Sequence, residues 1–234
     1  MISRRLFCVS AAAGFGGALS ACSGPGPLSL DESRPRPELA ARTLGRPDYN
    51  AIYGEYAGEQ FDIKAFDYRQ VDPRWLRQTV QWRGPEGPGA IIVDPANKHL
   101  YFTESPGQAT RYGVGVGREG FGWTGLAQIN MKRSWPDWVP PQEMVQRSPE
   151  IVAQLEKTPR GLGVRGGPRS PLGARAMYLF SDGGGHDLGY RIHGTTEPET
   201  IGTNVSSGCI RMVNQDIVHL FTRAAVGTKV TVLA

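Results

Sequence analysis

The sequence predicts a mostly β domain, and three observations carry that prediction. Short runs of β-branched and aromatic residues recur between turn residues, as strands joined by tight connections require. The 234 residues include 31 glycines and 18 prolines, a turn-rich composition that stays below the level of low-complexity chains. Helical periodicity is visible in only two stretches, near residues 141–155 and 214–224. The length allows one or two domains and is enough to bury a full core.

Taken in order, the predicted elements begin with AIIVD at 90–94 and HLYFT at 99–103, joined by the turn DPANK. RYGVGV at 111–116 is the next strand. A helical piece covers 141–155 and is interrupted at Pro149, where the ring removes a backbone donor. AMYLFS at 176–181 and LGYRIH at 188–193 pair across the hairpin connection SDGGGHD. A helix from Asn214 to Ala224 places Ile217, Leu220, Phe221 and Ala224 on one face, with Asn214 able to cap its start. KVTVL at 229–233 is the last strand. One compact domain is expected over 69–234, preceded by a linker and short N-terminal region at 23–68.

The first 22 residues have the three-part layout of an export signal: Arg4 and Arg5, an apolar stretch from Leu6 to Leu19, then small residues. That stretch is too short for a comfortable membrane span. SRRLF resembles the twin-arginine export motif, and LSAC, ending at Cys22, resembles a bacterial lipobox. The resemblance implies lipidation at Cys22, a membrane partner through the anchor and, with Ser23 following, transfer to an outer membrane. The expected location is therefore exported, periplasmic and lipid-anchored. From Ser23 to about Asn50 the chain is rich in Pro, Gly, Ser and Arg, the composition of a tether. The formal charge of +4 falls to about +2 once Arg4 and Arg5 leave, a balance that argues against nucleic acid as a partner.

Three cysteines occur, Cys8, Cys22 and Cys209. With Cys8 in the signal and Cys22 lipidated, Cys209 has no disulfide partner within the chain, which makes it a candidate nucleophile. Two glycine patterns, Gly115-x-Gly117-x-x-Gly120 and Gly161-x-Gly163-x-x-Gly166, match the dinucleotide fingerprint but neither opens a helix. His99, His186, His193 and His219 show no metal-binding spacing. No metal or cofactor is expected.

The stretch YRIHGTTEPETIGTNVSSGCIRMVNQD, Tyr190 to Asp216, carries the chemistry. His193 ends a strand, and Cys209 follows in a tight SSGC turn. An imidazole activates a thiol by taking its proton or by stabilising the thiolate. Gly208 permits a sharp turn, so that amide N–H groups at Gly208 and Cys209 converge on an oxyanion. Arg211 offers a forked guanidinium to a substrate carboxylate. The loop from Gly161 to Gly173 is read either as a mobile lid or as a plain surface loop. Trp123, Trp135 and Trp138 are read as groove residues or, for at least two of them, as packing.

These residues resemble the L,D-transpeptidase catalytic domain family of the YkuD type. His193 matches its catalytic histidine, Ser206 its Ser/Thr position, Gly208 its glycine, Cys209 its nucleophile, Arg211 its arginine and Asn214 a later polar position. Ser207 stands where the family usually has a second histidine. The resemblance extends upstream through GAIIVDPANKHLYF, RYGVGVGREGFGWTG, WPDWVPP and GGPRSPLGARAMYL. It implies a mostly β domain of mixed sheets packed as a sandwich with a few short helices. It also implies an acyl transferase acting on peptidoglycan stem peptides, with Cys209 and His193 catalytic and with Ser206, Ser207, Gly208 and Arg211 binding substrate or oxyanion. The acceptor it implies is the amine of a second stem, giving 3→3 cross-links, or an envelope protein; water would make the protein an L,D-carboxypeptidase. A thiol peptidase and a non-catalytic wall-binding lipoprotein are the other readings.

Overall fold

The computed structural model describes residues 40–117, 123–206 and 208–234. The export signal, Cys22 and Ser207 lie outside the described residues. In chain order the first strands are β1 (Ala40–Thr43), β2 (Gln78–Trp82), β3 (Ile91–Asp94), β4 (His99–Ser105), β5 (Gln108–Gly113), β6 (Val116–Gly117) and β7 (Gly125–Ser134). Those that follow are β8 (Glu156–Thr158), β9 (Gly161–Gly163), β10 (Arg175–Ser181), β11 (Asp187–His193), β12 (Asn204–Ser206), β13 (Ile210–Arg211) and β14 (Lys229–Val232). The helices are α1 (Tyr49–Ile52), α2 (Gln142–Arg147) and α3 (Asn214–Arg223). Single 3-10 turns fall between them, one of them at Pro149–Gln154 directly after α2.

The main sheet runs β1-β2-β5-β4-β3-β14-β7-β10-β11-β13. Its pairs are antiparallel except β3 with β14 and β11 with β13, so the sheet is mixed as the sequence led one to expect. Its last strand returns to the opposite half: Gly115, just past β5, exchanges backbone hydrogen bonds with Arg211 of β13 at 2.9 and 2.8 Å. The sheet therefore curls, and its two halves face each other across one core.

The period-2 alternation of strands sorts the residues between faces. Ile91, Val93, Leu100, Phe102 and Tyr112 from one half meet Ile129, Met177, Leu179, Ile192 and Ile210 from the other. Ile92, Tyr101, Val80, Trp82 and Ala109 point the opposite way and form a second cluster. Helix α3 closes the main core with Ile217, Leu220 and Ala224, while Phe221 is partly buried beside them, the face that the helical spacing marked.

Three features differ from expectation. β7, the longest strand, was absent from the predicted set: only Ala127 and Ile129 are buried along it, and it is fixed by pairing to β14 and β10 on its two sides. The third predicted strand, 111–116, is shifted to 108–113 by its ladder with β4. Asn214 does not cap α3. The cap position is Val213, with no side-chain hydrogen bond.

Residues 49–68, placed by the sequence before the body, pack into it. Tyr53 lies with Val71, Leu76, Ile201 and Val213 in a cluster of their own. Its hydroxyl donates to Asp216 Oδ2 at 3.2 Å and accepts from the Arg77 backbone N–H at 2.7 Å. The Gln215 side-chain amide donates to carbonyls of the same segment, its Nε2 reaching Gly54 at 3.2 Å and Lys64 at 2.9 Å. Among the described residues no helix is long and apolar enough to cross a membrane.

Candidate active site

The site grows out of the parallel pairing of β11 with β13. Ile192 stands beside Ile210 and His193 beside Arg211. Paired residues point to the same face and neighbours along a strand alternate. Ile192 and Ile210 are both in the core, so His193 and Arg211 project to the other side. Cys209 immediately precedes β13, and the Arg191 backbone N–H of β11 is directed at its sulfur. The end of β11 and the turn leading into β13 thus gather an imidazole, a thiol and two guanidinium groups.

His193 is only 4% exposed. Its Nδ1 lies 2.5 Å from the Gly194 carbonyl oxygen. A carbonyl only accepts, so Nδ1 carries the proton and Nε2 is left with its lone pair. Burial lowers the His193 pKa to about 4; the Gly194 hydrogen bond opposes this and the Arg211 and Arg191 charges add to it. The imidazole is therefore neutral at physiological pH, the state a general base requires.

Cys209 is half-buried, and burial raises its pKa above the ordinary thiol value. The Arg191 backbone N–H directed at the sulfur and the guanidinium charges of Arg191 and Arg211 pull the other way, while Asp187 adds to the rise. The resting site is thus thiol and neutral imidazole. Gly208 has φ +108°, a conformation that favours glycine, and it supplies the sharp turn before the thiol.

Arg211 is held by Glu197, Nη1 to Oε2 at 2.7 Å. Ser206 ends β12, which pairs with β6; Ser207 lies outside the described residues.

One group in the site was not picked out from sequence, and a second, Asn214, was picked out but given a different role. Arg191 makes a two-pronged contact with Asp187, at 2.7 and 2.8 Å, and lies over the Tyr178 ring at 4.3 Å. The i,i+4 spacing of Asp187 and Arg191 was the available signal, hidden because in a strand with a register shift it does not read as a pair. The second is the bridge made by Asn214. Its Oδ1 accepts from the Ala174 N–H at 2.9 Å, and its Nδ2 donates to the Thr195 carbonyl at 3.0 Å. A Cβ on Gly194 or Gly173 would come within 2.2 or 2.3 Å of that Oδ1, so the amide fits only because both are glycine.

Of the tryptophans, Trp135 is 7% exposed and stacks edge-on with Phe61 in a packing cluster. Trp123 lies against Tyr190 at 5.8 Å. In the loop proposed as lid or surface, Gly163 and Gly166 sit where a Cβ would approach the Trp138 and Trp135 carbonyls to 2.1 and 1.9 Å. These glycines serve close backbone packing rather than a phosphate.

The family model for the L,D-transpeptidase catalytic domain, YkuD, matches residues 88–232, a span that holds both strands of the site. The chain belongs to this family. Among Escherichia coli K12 members, the Probable L,D-transpeptidase YbiS is 32% identical over 145 residues, 60% of this chain and 43% of that protein. The Probable L,D-transpeptidase YcfS is 33% identical over 156 residues, 64% of this chain and 45% of that protein. The chain thus spans less than half the length of these relatives. A crystal structure from Brucella melitensis, described as a probable carnitine operon oxidoreductase, shares 42% identity over 71% of this chain and 99% of that one, with a TM-score of 0.46. Within the YkuD family, this chain is a mostly β member whose motif histidine ends β11 and whose motif cysteine immediately precedes β13, the strand paired with β11.

Proposed function

We propose that the protein is an L,D-transpeptidase that works through a Cys209 acyl-enzyme on peptidoglycan stem peptides. The observation that carries the reading is the His193 imidazole, neutral and fixed through Nδ1 to Gly194, at the end of the strand that pairs with the one Cys209 leads into. Cys209 Sγ adds to the carbonyl joining a diaminopimelate residue to terminal D-alanine, and the thiol proton passes to His193 Nε2. The amide N–H of Cys209 and that of Gly208 face the developing oxyanion. Collapse breaks the C–N bond; the proton goes from His193 to the departing amine, and a thioester remains. An incoming amine then loses its proton to His193, attacks the thioester and restores the thiol. Ser206 and Ser207 are assigned to donor or oxyanion binding, and Arg211 receives a donor carboxylate.

A second stem as acceptor gives a 3→3 cross-link, an envelope protein gives wall anchoring, and water gives an L,D-carboxypeptidase. Export by the twin-arginine route and lipidation at Cys22 would put this activity on the periplasmic side, tethered to the outer membrane by the stretch from Ser23 to about residue 48. Globomycin or Cys22→Ala should then cause precursor to accumulate; a mature N-terminus at an unmodified residue other than Cys22 would remove the anchor.

The decisive test is mass spectrometry after incubation with a carbapenem, an acyl-donor mimic. The adduct mass should fall on the peptide containing Cys209. Cys209→Ala should give neither adduct nor D-alanine from a tetrapeptide stem. His193→Ala should fold and acylate about 10² to 10⁴ times more slowly, the usual range for a lost general base. D-alanine release that survives Cys209→Ala refutes the reading.

A further inference from the structure

Helix α3 has a second end with its own chemistry. About 14 Å along the helix from Asn214, at ~1.5 Å per residue, a cavity of about 380 Å³ opens between residues 44–47, β2, the β4–β5 hairpin and α3. Its charged lining is Arg46, Arg77, Arg223 and Glu104, with His219 beside them. Glu104 is already engaged, accepting from Thr110 at 2.7 Å and from Arg223 Nε at 3.3 Å. Arg46 is exposed.

Arg77 is the unusual group. It is 7% exposed, its Nε stands 3.6 Å from Asp216 Oδ1, and its Nη1 has no hydrogen-bond partner. A buried guanidinium N–H without an acceptor is costly, and such groups call for an explanation. His219 reports the local field. Its Nδ1 is bonded to the Tyr112 hydroxyl at 2.7 Å, and burial, followed by the charges of Arg77 and Arg223, holds its pKa down to about 3. With Asp216 beside Arg77 and Glu104 beside Arg223, three arginines stand against two carboxylates around a space large enough for a small polar ligand.

We propose that this cavity is a binding site for a phosphate group, with Arg77 as the inner donor and Arg46 and Arg223 as the outer ones. Forked guanidinium donors on several sides suit a tetrahedral anion, whose oxygens accept from each of them. The space exceeds one phosphate, so the ligand is a phosphomonoester or a phospholipid headgroup. The site does not depend on the acyl-transfer reading, since none of its residues lies in the motif that carries Cys209.

The experiment is isothermal titration of the full chain with inorganic phosphate and glycerol phosphate, together with flotation on phosphatidylglycerol and phosphatidylcholine vesicles. One saturable site is expected for the soluble phosphates, or selective binding to the phosphatidylglycerol vesicles; the arm that responds identifies the source. The double variant Arg46→Gln, Arg223→Gln should weaken binding by about tenfold for each arginine removed, as charge-assisted hydrogen bonds are lost. Both side chains are solvent-accessible, so an unchanged melting temperature shows that the variant folds. Phosphate should also raise the His219 titration midpoint, read by NMR, because an added anion offsets the two arginines. The proposal is overturned if neither phosphates nor vesicles bind saturably, if binding is unchanged in the double variant, or if succinate binds as well as phosphate.

Discussion

Replacing Asn214 by alanine removes two hydrogen bonds that join three loops around the imidazole. The Ala174 N–H and the Thr195 carbonyl lose their partners. Ala174 is fully buried and Thr195 is 3% exposed, so bulk water does not readily replace the amide. Each stranded buried group costs about 1 to 3 kcal/mol, which gives about 2 to 6 kcal/mol for the pair. For a domain of this size 1 kcal/mol shifts the melting temperature by ~2 to 4 °C, so a drop of at least ~4 °C is expected. Asn214→Asp separates the two bonds: the Ala174 acceptor stays, and an oxygen now faces the Thr195 carbonyl. It should destabilise as well, and its carbapenem acylation should slow, because residue 195 follows the Gly194 carbonyl that fixes His193. Differential scanning calorimetry of both variants, with urea unfolding to check an unchanged m-value, supplies the measurement. A melting temperature for Asn214→Ala within 2 °C of wild type, on the same scale, would mean that the bridge is not structural.

The remaining predictions concern charge. Burial lowers His193 and His99 to about 4 and His219 to about 3, whereas in the unfolded chain each titrates near ~6.5. Between those values the unfolded state binds more protons, so the stability these residues contribute is present above pH 6.5 and lost as the pH falls toward 4. Asp216, pushed up to about 6 by burial against the pull of Arg77, works in the opposite sense, because the folded state takes its proton first. Three groups oppose one, and urea midpoints should fall from pH 7 to pH 4.5; equal midpoints refute the balance. Arg191→Gln removes a cation that holds the thiol pKa down, so alkylation of Cys209 by iodoacetamide at pH 8 should slow, with Arg191→Lys in between. An unchanged rate would show that the Asp187 contact already cancels the charge. Arg211→Lys should cut acylation, since lysine keeps the charge and loses the fork; wild-type turnover would place Arg211 outside the donor site.

The parts of this molecule that were legible in sequence are those whose determinants are local. Ile91 to Phe102 is a hairpin because apolar alternation flanks a short turn, and the α3 face is readable because Ile217, Leu220 and Ala224 fall three and four residues apart. Cys209, Gly208 and His193 were legible because the thiol, the turn and the imidazole lie within one stretch of sequence. β7 was not, since eight of its ten residues escape full burial and its partners β14 and β10 are remote in sequence. Nothing local in sequence marks Asp216 or Arg77; only the fold, by packing residues 49–68 over α3, buries them both. Asn214 has the residue type of a helix cap, and local chemistry favours that role. Tertiary contacts take precedence, because the Ala174 and Thr195 backbone groups are buried and have a greater need of the amide than a helix end does.

Desolvation also sets the resting state of the site. A thiol raised by burial and an imidazole lowered by it are both neutral, so the free site holds no ion pair to attract water or oxidants. Both shifts come first from desolvation, and both are opposed or reinforced by Arg191 and Arg211. Each of these arginines is held by a carboxylate of the chain, Asp187 or Glu197. A donor carboxylate that draws Arg211 from Glu197, which is 57% exposed, changes the field at both reacting groups at once. Removing the competitor with Glu197→Gln should therefore lower the KM for a carboxylate-bearing donor while leaving the rate with a donor amide unaffected. Equal effects on the two donors would show that Glu197 acts on the fold of its loop and not on the guanidinium.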